Sequence, residues 1–140
     1  MLVIFDLNKT LIHKHPTLML RPHTLELFNH LRNKGIKIGI WSFCNELNFK
    51  KIFNSLKQHN FKDFDFLKCS SIDSTKTDLN GFMYKKDLNF VAEEMKIKND
   101  EIILIEDDEN KCVLNQKRII VKPFLRDSSD LEFKRIFQNF

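Results

Sequence analysis

Carboxylate, hydroxyl and ammonium side chains stand where short apolar runs of this sequence end. The segment LVIFDLNKTLI, residues 2–12, closes its apolar run with Asp6, Asn8 and Thr10. Later runs lead into Ser42, into Lys85 and Lys86, and into the acidic series Glu106, Asp107 and Asp108. A short apolar run closed by polar residues is typical of a strand buried on both faces, and parallel sheets bind ligands at the carboxyl ends of their strands. We therefore expect these polar residues to meet at one edge of a sheet.

Such a cluster has the composition to bind an anion together with a divalent cation. Asp6, Glu106 and Asp107 would supply the hard oxygen ligands that Mg²⁺ prefers while it keeps several waters. Lys86 and Ser42 would offset and orient the oxygens of a phosphoryl group, as in other phosphoryl-transfer sites. The acidic series leaves two pairs open, 106–107 and 107–108. We favour the first, because the strand then ends where the charges begin.

The elements that must position these residues alternate between strands and helices. Strand-length apolar runs lie at residues 2–5, 36–41, 64–69, 101–105 and 118–121. Helical spacing of apolar residues lies at 24–33, 46–58 and 86–95, so that Lys86 stands at a helix start, and a last helix is predicted at 129–137 with Ser128 or Ser129 as its cap. Pro22 suits the first turn of the first helix and Gly35 its end. The alternation predicts an α/β fold, a Rossmann-like three-layer sandwich around a parallel sheet of about five strands.

One polar stretch interrupts this alternation. Residues 70–85, SSIDSTKTDLNGFMYK, are predicted to form a loop or a small hairpin insertion, which leaves no room there for a large cap domain. We therefore expect a single capless domain that spans residues 1–140.

Composition narrows the class of protein. The 23 basic and 19 acidic residues are spread along the chain, so the net charge of +4 does not by itself predict a nucleic-acid partner. No apolar run reaches the roughly 18 residues of a membrane span, and residues 2–5 are too few for a signal peptide. The cysteines, without a pairing motif, suit reduced thiols: Cys44, Cys69 and Cys112. We expect an intracellular protein, cytoplasmic or nuclear. Nothing here indicates an oligomeric state.

Two other residue spacings are compatible with a cysteine phosphatase or a zinc site, but each lacks a feature that such a site needs. Cys112 and Arg118 have the Cys-x5-Arg spacing of cysteine phosphatases, but the loop between them lacks the glycine that brings backbone N–H groups onto a phosphate. His13 and His15 flank Lys14, yet no second pair stands at a zinc-site distance. We interpret residues 13–15 as part of a flap, with substrate contact as the alternative.

Together these motifs resemble the haloacid dehalogenase (HAD) superfamily of aspartyl phosphatases. The likeness is greater to phosphatases of the RNA polymerase II C-terminal domain, the NLI-interacting-factor-like family, which includes a phosphatase with a ubiquitin-like domain. The motifs that carry the resemblance, in order along nearly the whole chain, are Asp6-Leu7-Asn8-Lys9-Thr10, Arg21-Pro22, Ile40-Trp41-Ser42, Lys86-Asp87-Leu88, Glu106-Asp107 and VKPF at 121–124.

The resemblance implies roles for individual residues. Asp6 would attack phosphorus and form an aspartyl-phosphate, and Thr10 would hold the loop. Mg²⁺ would bind among Asp6, Asn8, Glu106 and Asp107. Asn8 occupies the position where the family carries the aspartate that acts as general acid and then base. Because an amide cannot exchange a proton near neutral pH, a step worth about 10²–10⁴-fold in rate would be lost or left to solvent.

The function expected from the sequence is therefore magnesium-dependent hydrolysis of phosphomonoesters, with phosphoserine or phosphothreonine proteins as substrates and a phosphorylated protein or peptide as partner. Two alternatives stay open. One is a catalytically impaired phosphate-binding module, because of Asn8. The other is a phosphatase of small molecules or nucleic-acid ends.

Overall fold

A five-stranded parallel sheet forms the centre of the fold. The structure, a computed structural model, describes residues 1–69, 75–76 and 84–140. In chain order its strands are β1 (Leu2–Phe5), β2 (Ile12–His13), β3 (Met19–Leu20), β4 (Lys37–Trp41), β5 (Phe66–Lys68), β6 (Thr75–Lys76), β7 (Tyr84–Lys85), β8 (Ile102–Glu106) and β9 (Arg118–Ile120). Its helices are α1 (Thr24–Asn33), α2 (Glu46–Gln58), α3 (Leu88–Met95) and α4 (Glu132–Ile136), with short 3-10 turns at Asn99–Glu101, Glu109–Lys111 and Phe137–Asn139. The sheet order is β5-β4-β1-β8-β9, and each pairing in it is parallel.

Helices cover both faces of this sheet, because side chains alternate along each strand. In β1, Val3 and Phe5 pack into one core cluster with apolar residues of α1, α2 and α4. Leu2 and Ile4 point the other way and pack into a second cluster with α3. The predicted Rossmann-like three-layer α/β fold is confirmed.

Gly39 allows the central strands to pack closely. A Cβ atom at this position would lie 2.7 Å from Ile4 Cδ1 and 2.9 Å from Phe66 Cβ, and real Cβ atoms do not come that close. Glycine is thus required on this face of β4 by the side chains of the strands on either side of it.

The helices mostly have their predicted bounds. Both α1 and α2 begin and end at the predicted residues. Gly35 follows α1 with φ 69°, the left-handed conformation that favours glycine. Pro22, however, lies before α1 rather than in its first turn, because His23 occupies the N-cap with φ 65°.

Two helix starts differ from the prediction. The third helix begins at Leu88 because Asp87 caps it, accepting a 2.9 Å hydrogen bond from the Asn89 N–H. Lys86 therefore lies in an extended segment before the helix. The last helix begins at Glu132, and the predicted serine cap is wrong, because Ser129 donates to Asp127 in a turn outside the helix.

The insertion predicted at 70–85 lies largely outside the described residues. The part that is described contains β6 and β7, which pair antiparallel. Among the residues that the structure describes, none of the helices has the length and apolar character of a membrane span.

Candidate active site

The carboxyl ends of β1, β4 and β8 bring the candidate residues to one edge of the sheet. Phe5, the last residue of β1, pairs with Ile40 on one side and Ile105 on the other. Asp6 comes next and continues the ladder, its N–H donating to the Ile105 carbonyl at 2.9 Å. Glu106 follows Ile105 directly, so parallel register alone places its side chain beside that of Asp6.

Asp6 is the centre of the cluster, and each of its carboxylate oxygens has a partner. Oδ1 accepts a 2.6 Å hydrogen bond from Lys86 Nζ, and Oδ2 lies 3.1 Å from Thr10 Oγ1. The Asp6 side chain is only 3% exposed, so a reacting group must reach it through a small opening.

Lys86 is wholly buried between two carboxylates. Its Nζ donates to Asp6 and, also at 2.6 Å, to Glu106 Oε2, and it lies 5.2 Å from the centre of the Phe43 ring. Burial by itself would lower the pKa of Lys86, but the charges of Asp6 and Glu106 outweigh it and hold that pKa above its ordinary value. Lys86 is a permanent cation at the floor of the site.

Glu106 is buried as deeply as Lys86. Its Oε1 accepts from the backbone N–H groups of Asp107 at 3.1 Å and Asp108 at 3.4 Å, and Lys111 Nζ lies 3.9 Å away. Burial raises the pKa of Glu106 from 4.5 to about 7, with Lys86 acting to lower it and Asp6 to raise it. With Asp107, three carboxylates meet here against Lys86 and the partly exposed Lys111, so the cluster has an excess of negative charge when all three are ionised.

Thr10 connects Asp6 to the acidic series. Its Oγ1 lies 3.1 Å from Asp6 Oδ2 and 3.0 Å from Asp107 Oδ1. A hydroxyl has one proton and donates to one carboxylate at a time, so the other contact brings two oxygen acceptors together. A cation between the carboxylates would resolve this contact.

The acidic pair at the site is Glu106–Asp107 in this structure. Asp108 turns away, and its side chain accepts a 3.0 Å hydrogen bond from the Asn110 N–H at the start of a 3-10 turn. Oxygen atoms of Asp6, Glu106 and Asp107 all lie within 4.8 Å of one another. This set of oxygen donors fits a hard divalent cation such as Mg²⁺. Both oxygens of Asp6 and both of Glu106 have protein partners, whereas Asp107 is the more exposed of the three, so Asp107 is the most accessible ligand.

Ser42 and Asn8 complete the set of predicted residues. Ser42 follows β4 on the same edge, is buried, and donates its N–H to the Lys68 carbonyl at 2.9 Å. Asn8 is half-buried in the loop between Asp6 and Thr10. That loop is tightly turned, with Lys9 at φ 63° and its N–H donating to the Ile12 carbonyl at 2.7 Å.

Arg21 holds the loop between Asp6 and Thr10 in place, and its own partner, Asp130, was not identified from the sequence. Its guanidinium donates to the Thr10 carbonyl at 2.9 Å and to both oxygens of Asp130 at 3.0 Å, and also bonds the Lys122 carbonyl. Arg21 is buried and stacks near Phe133, 5.1 Å from that ring's centre. The Arg-Pro motif marked Arg21, but no local pattern could mark Asp130, 109 residues later.

The alternative nucleophiles are poorly placed. Burial raises the pKa of the Cys112 thiol to about 12, with Glu106 adding to the effect, so this cysteine stays protonated. Burial also raises the pKa of the Cys44 thiol; a hydrogen bond with Ser42 and the charge of Lys14 act against it, while Cys69 and Asp6 add to it. His13 and His15 lie in the β2–β3 hairpin, where His13 Nδ1 lies 3.0 Å from the His15 backbone carbonyl.

Several solved structures have similar folds, and HAD-superfamily hydrolases are among them. An uncharacterized protein from Listeria monocytogenes serotype 4b has a TM-score of 0.58 at 16% identity, with 99% of each chain covered. A HAD-superfamily hydrolase from Ehrlichia chaffeensis has a TM-score of 0.62 at 14% identity, covering 97% of this chain and 95% of that one. Fission yeast RNA polymerase II CTD phosphatase Fcp1, bound to beryllium fluoride, has a TM-score of 0.59 at 15% identity, covering 88% of this chain and 41% of that one. The fold is that of the HAD-superfamily hydrolases.

The sequence itself narrows the class further. A family model described as NLI interacting factor-like phosphatase matches residues 1–140, and the chain belongs to that family. No curated protein sequence matches the chain. The predicted family is confirmed.

Proposed function

We propose that this protein hydrolyses phosphomonoesters through an aspartyl-phosphate formed on Asp6, with Mg²⁺ as cofactor and phosphoserine or phosphothreonine proteins as substrates. The observation that carries the proposal is the setting of Asp6. Its carboxylate is held between Lys86 and Thr10 at the carboxyl end of the central strand, with oxygens of Glu106 and Asp107 within 4.8 Å.

Asp6 has the properties of a positioned nucleophile. Lys86 and Thr10 fix both of its oxygens, so the carboxylate is oriented before the substrate arrives. Each carboxylate oxygen has about two acceptor sites and uses one here, so a lone pair stays available to attack phosphorus. The bond that forms joins an Asp6 oxygen to phosphorus, and the bond that breaks joins phosphorus to the serine or threonine oxygen.

The excess negative charge supports a cation. Lys86 contacts Asp6 and Glu106, Asp107 lies close to both carboxylates, and a phosphate would bring still more negative charge. Mg²⁺ would bind among Asp6, Asn8, Glu106 and Asp107, and Glu106 would also keep Lys86 in place. The ion would neutralise phosphoryl oxygens at this edge of the sheet. Lys86 uses two of its three N–H donors on carboxylates, which leaves one for a phosphoryl oxygen.

Asn8 limits the rate of the reaction. In this proposal the residue two positions after the nucleophile would protonate the leaving oxygen and then take a proton from water, and an amide does neither. A leaving group of low pKa departs without a proton, whereas the alkoxide of serine needs one. Turnover of phosphoserine should therefore depend on solvent, and the aspartyl-phosphate should accumulate because its hydrolysis lacks a base.

The test replaces the carboxylate of Asp6 by an amide and, in a second variant, the amide of Asn8 by a carboxylate. Asp6→Asn should abolish turnover, because it removes the attacking carboxylate. Asn8→Asp should raise turnover of a phosphoserine peptide by up to about 10²–10⁴-fold, and turnover of nitrophenyl phosphate much less. Rates are measured with and without Mg²⁺ by phosphate release.

The control places the same new charge elsewhere. Asn29→Asp adds a carboxylate on the exposed face of α1 and should leave all rates unchanged. Full activity of the Asp6→Asn variant would exclude Asp6 as the nucleophile. Rapid phosphoserine turnover that Asn8→Asp does not change would show that another group supplies the proton.

A second candidate function is favoured by Asn8 alone: a module that binds phosphorylated partners without efficient turnover. It shares the binding residues and differs only in rate. Retention of a labelled phosphoserine peptide over hours without phosphate release would favour the module. Release within minutes would favour the enzyme.

A further inference from the structure

Phe43 lies against the buried cation of the proposed phosphoryl site. It follows Ser42 in the segment between β4 and α2, and its side chain is half-buried. The ring packs on the α3 face of the sheet, and its centre lies 5.2 Å from Lys86 Nζ. An ammonium within about 6 Å of the centre of an aromatic ring is attracted by the electron-rich face of that ring. Phe43 therefore stabilises Lys86 in its present position.

Lys86 has one N–H donor that no carboxylate binds. Its other two donors are used by Asp6 and Glu106, each at 2.6 Å. Within the part of the chain that the structure describes, the third has no oxygen acceptor, and the Phe43 ring is the aromatic group beside it. A buried donor without a partner is costly, and the face of a ring is a weak acceptor that reduces this cost. The ring thus takes the donor that, in the proposed function, binds a phosphoryl oxygen.

The ring and a phosphoryl group cannot use this donor together. A charge-assisted hydrogen bond places the oxygen about 2.8 Å from the nitrogen. An oxygen between Lys86 Nζ and the Phe43 ring would then lie only about 2.4 Å from the ring centre, well inside van der Waals contact. The negative face of the ring would also repel a phosphoryl oxygen. Binding of a phosphate to Lys86 therefore requires the ring to move.

Phe43 has the freedom to make this movement. Its side chain is half-buried, whereas Trp41 and Ser42, the two residues before it, are buried. Its ring meets that of Trp41 edge-on, with the ring centres 6.2 Å apart and the planes at 84°. Exposed side chains change rotamer on the picosecond-to-nanosecond scale, so a ring at the edge of the core can turn outward while the sheet stays intact.

We infer that Phe43 controls access to the phosphoryl site: its ring lies over Lys86 and turns aside when a phosphoryl group binds. This inference rests on the proposed function, because it concerns the same site. Since the contact between the ring and Lys86 is lost on binding, Phe43 opposes the binding of phosphate, and its removal should tighten that binding. A residue with only a structural role would have the opposite effect.

The experiment compares Phe43→Leu with Phe53→Leu in the presence of Mg²⁺. Leucine keeps an apolar side chain and removes the ring face. Binding of radiolabelled inorganic phosphate is measured by equilibrium dialysis, and Phe43→Leu should tighten it by about 2- to 30-fold, the range of a cation–π contact. Phe43→Tyr keeps a ring face and should bind like the unaltered protein. Phe53 is a matched control, because it is also half-buried and edge-on to another ring, Phe64, at 5.4 Å. Phe53→Leu should leave the affinity unchanged.

The fluorescence of Trp41 reports on the ring itself. Trp41 is the single tryptophan and lies edge-on to Phe43, so movement of the Phe43 ring changes the surroundings of the indole. Phosphate should therefore change the emission of the unaltered protein and of Phe53→Leu, and change that of Phe43→Leu much less. Sodium chloride at equal ionic strength is the control for effects of salt.

The outcomes separate this inference from the proposed function. Failure of the unaltered protein and of the variants to bind phosphate would overturn the proposed function, and this inference with it. Phosphate binding that Phe43→Leu weakens or leaves unchanged would overturn this inference alone, because the ring would then not oppose binding. A Trp41 response of full size in Phe43→Leu would do the same, because the signal would come from another movement. Bound phosphate without any Trp41 response in the unaltered protein would overturn the inference without the use of a variant.

Discussion

Replacement of Lys86 by methionine should destabilise the fold severely, because it leaves two buried carboxylates without their cation. Lys86 is 0% exposed at its side chain, and Asp6 and Glu106, each 2.6 Å from it, are 3% and 0% exposed. Removal of one partner from a buried ion pair typically costs about 3–5 kcal/mol. With a urea dependence of about 2 kcal/mol/M, the unfolding midpoint should fall by about 1.5–2.5 M.

The assay uses the fluorescence of Trp41, the single tryptophan and wholly buried, during urea unfolding. Lys85→Met is the control, because Lys85 is adjacent but half-buried and lies outside the carboxylate cluster. A surface change of this kind usually alters stability by less than about 0.5 kcal/mol. Equal midpoints for the two variants would refute the argument that the charge of Lys86 stabilises the site.

The pH dependence of this loss gives a second check. Burial raises the pKa of Glu106 from 4.5 to about 7 even with Lys86 present. A folded-state pKa above the unfolded one contributes stability that is complete at low pH and is lost as the pH rises through the folded value. Without Lys86 that pKa rises further, so below about pH 7 both proteins lose this contribution in parallel, and the loss in Lys86→Met should grow as the pH rises above about 7. A loss independent of pH would assign the effect to side-chain packing instead.

Two further changes test the cation site and the packing of the sheet. Mg²⁺ at a hundredfold excess over its dissociation constant should stabilise the protein by about 2.7 kcal/mol in thermal melts. Asp107→Asn should abolish this effect and Asp108→Asn should keep it, since Asp108 caps a turn. Loss of the effect in Asp108→Asn would assign the site to the other acidic pair, 107–108. Gly39→Ala should cost about 1–3 kcal/mol in urea unfolding, because its Cβ would lie 2.7 Å from Ile4; unchanged stability would mean that the strands shift freely.

Local patterns in the sequence were enough to predict the fold class. The bounds of α1 and α2 follow from the spacing of apolar residues, and the parallel sheet follows from the alternation of strands and helices. Helix starts were harder, because they depend on single capping contacts. The helix α3 starts at Leu88, two residues later than the apolar period suggested, because Asp87 caps it, whereas α4 starts without a side-chain cap.

The identities of the site residues could likewise be predicted from the sequence, because each follows an apolar run and parallel strands end at one edge of the sheet. The contacts between these residues could not be predicted. That Lys86 is buried between two carboxylates, and that Asp107 rather than Asp108 meets Thr10, depends on how β8 and the segment before α3 lie against β1.

The supporting residues were decided by tertiary structure alone. Asp130 reaches Arg21 across 109 positions of the chain, and Arg126 reaches His15 across 111. Periodicity and motif spacing describe neighbours along the chain, so they carry no signal for such pairs. These contacts form only when the segment after β9 packs against the Asp6 loop, and that packing is a property of the folded core.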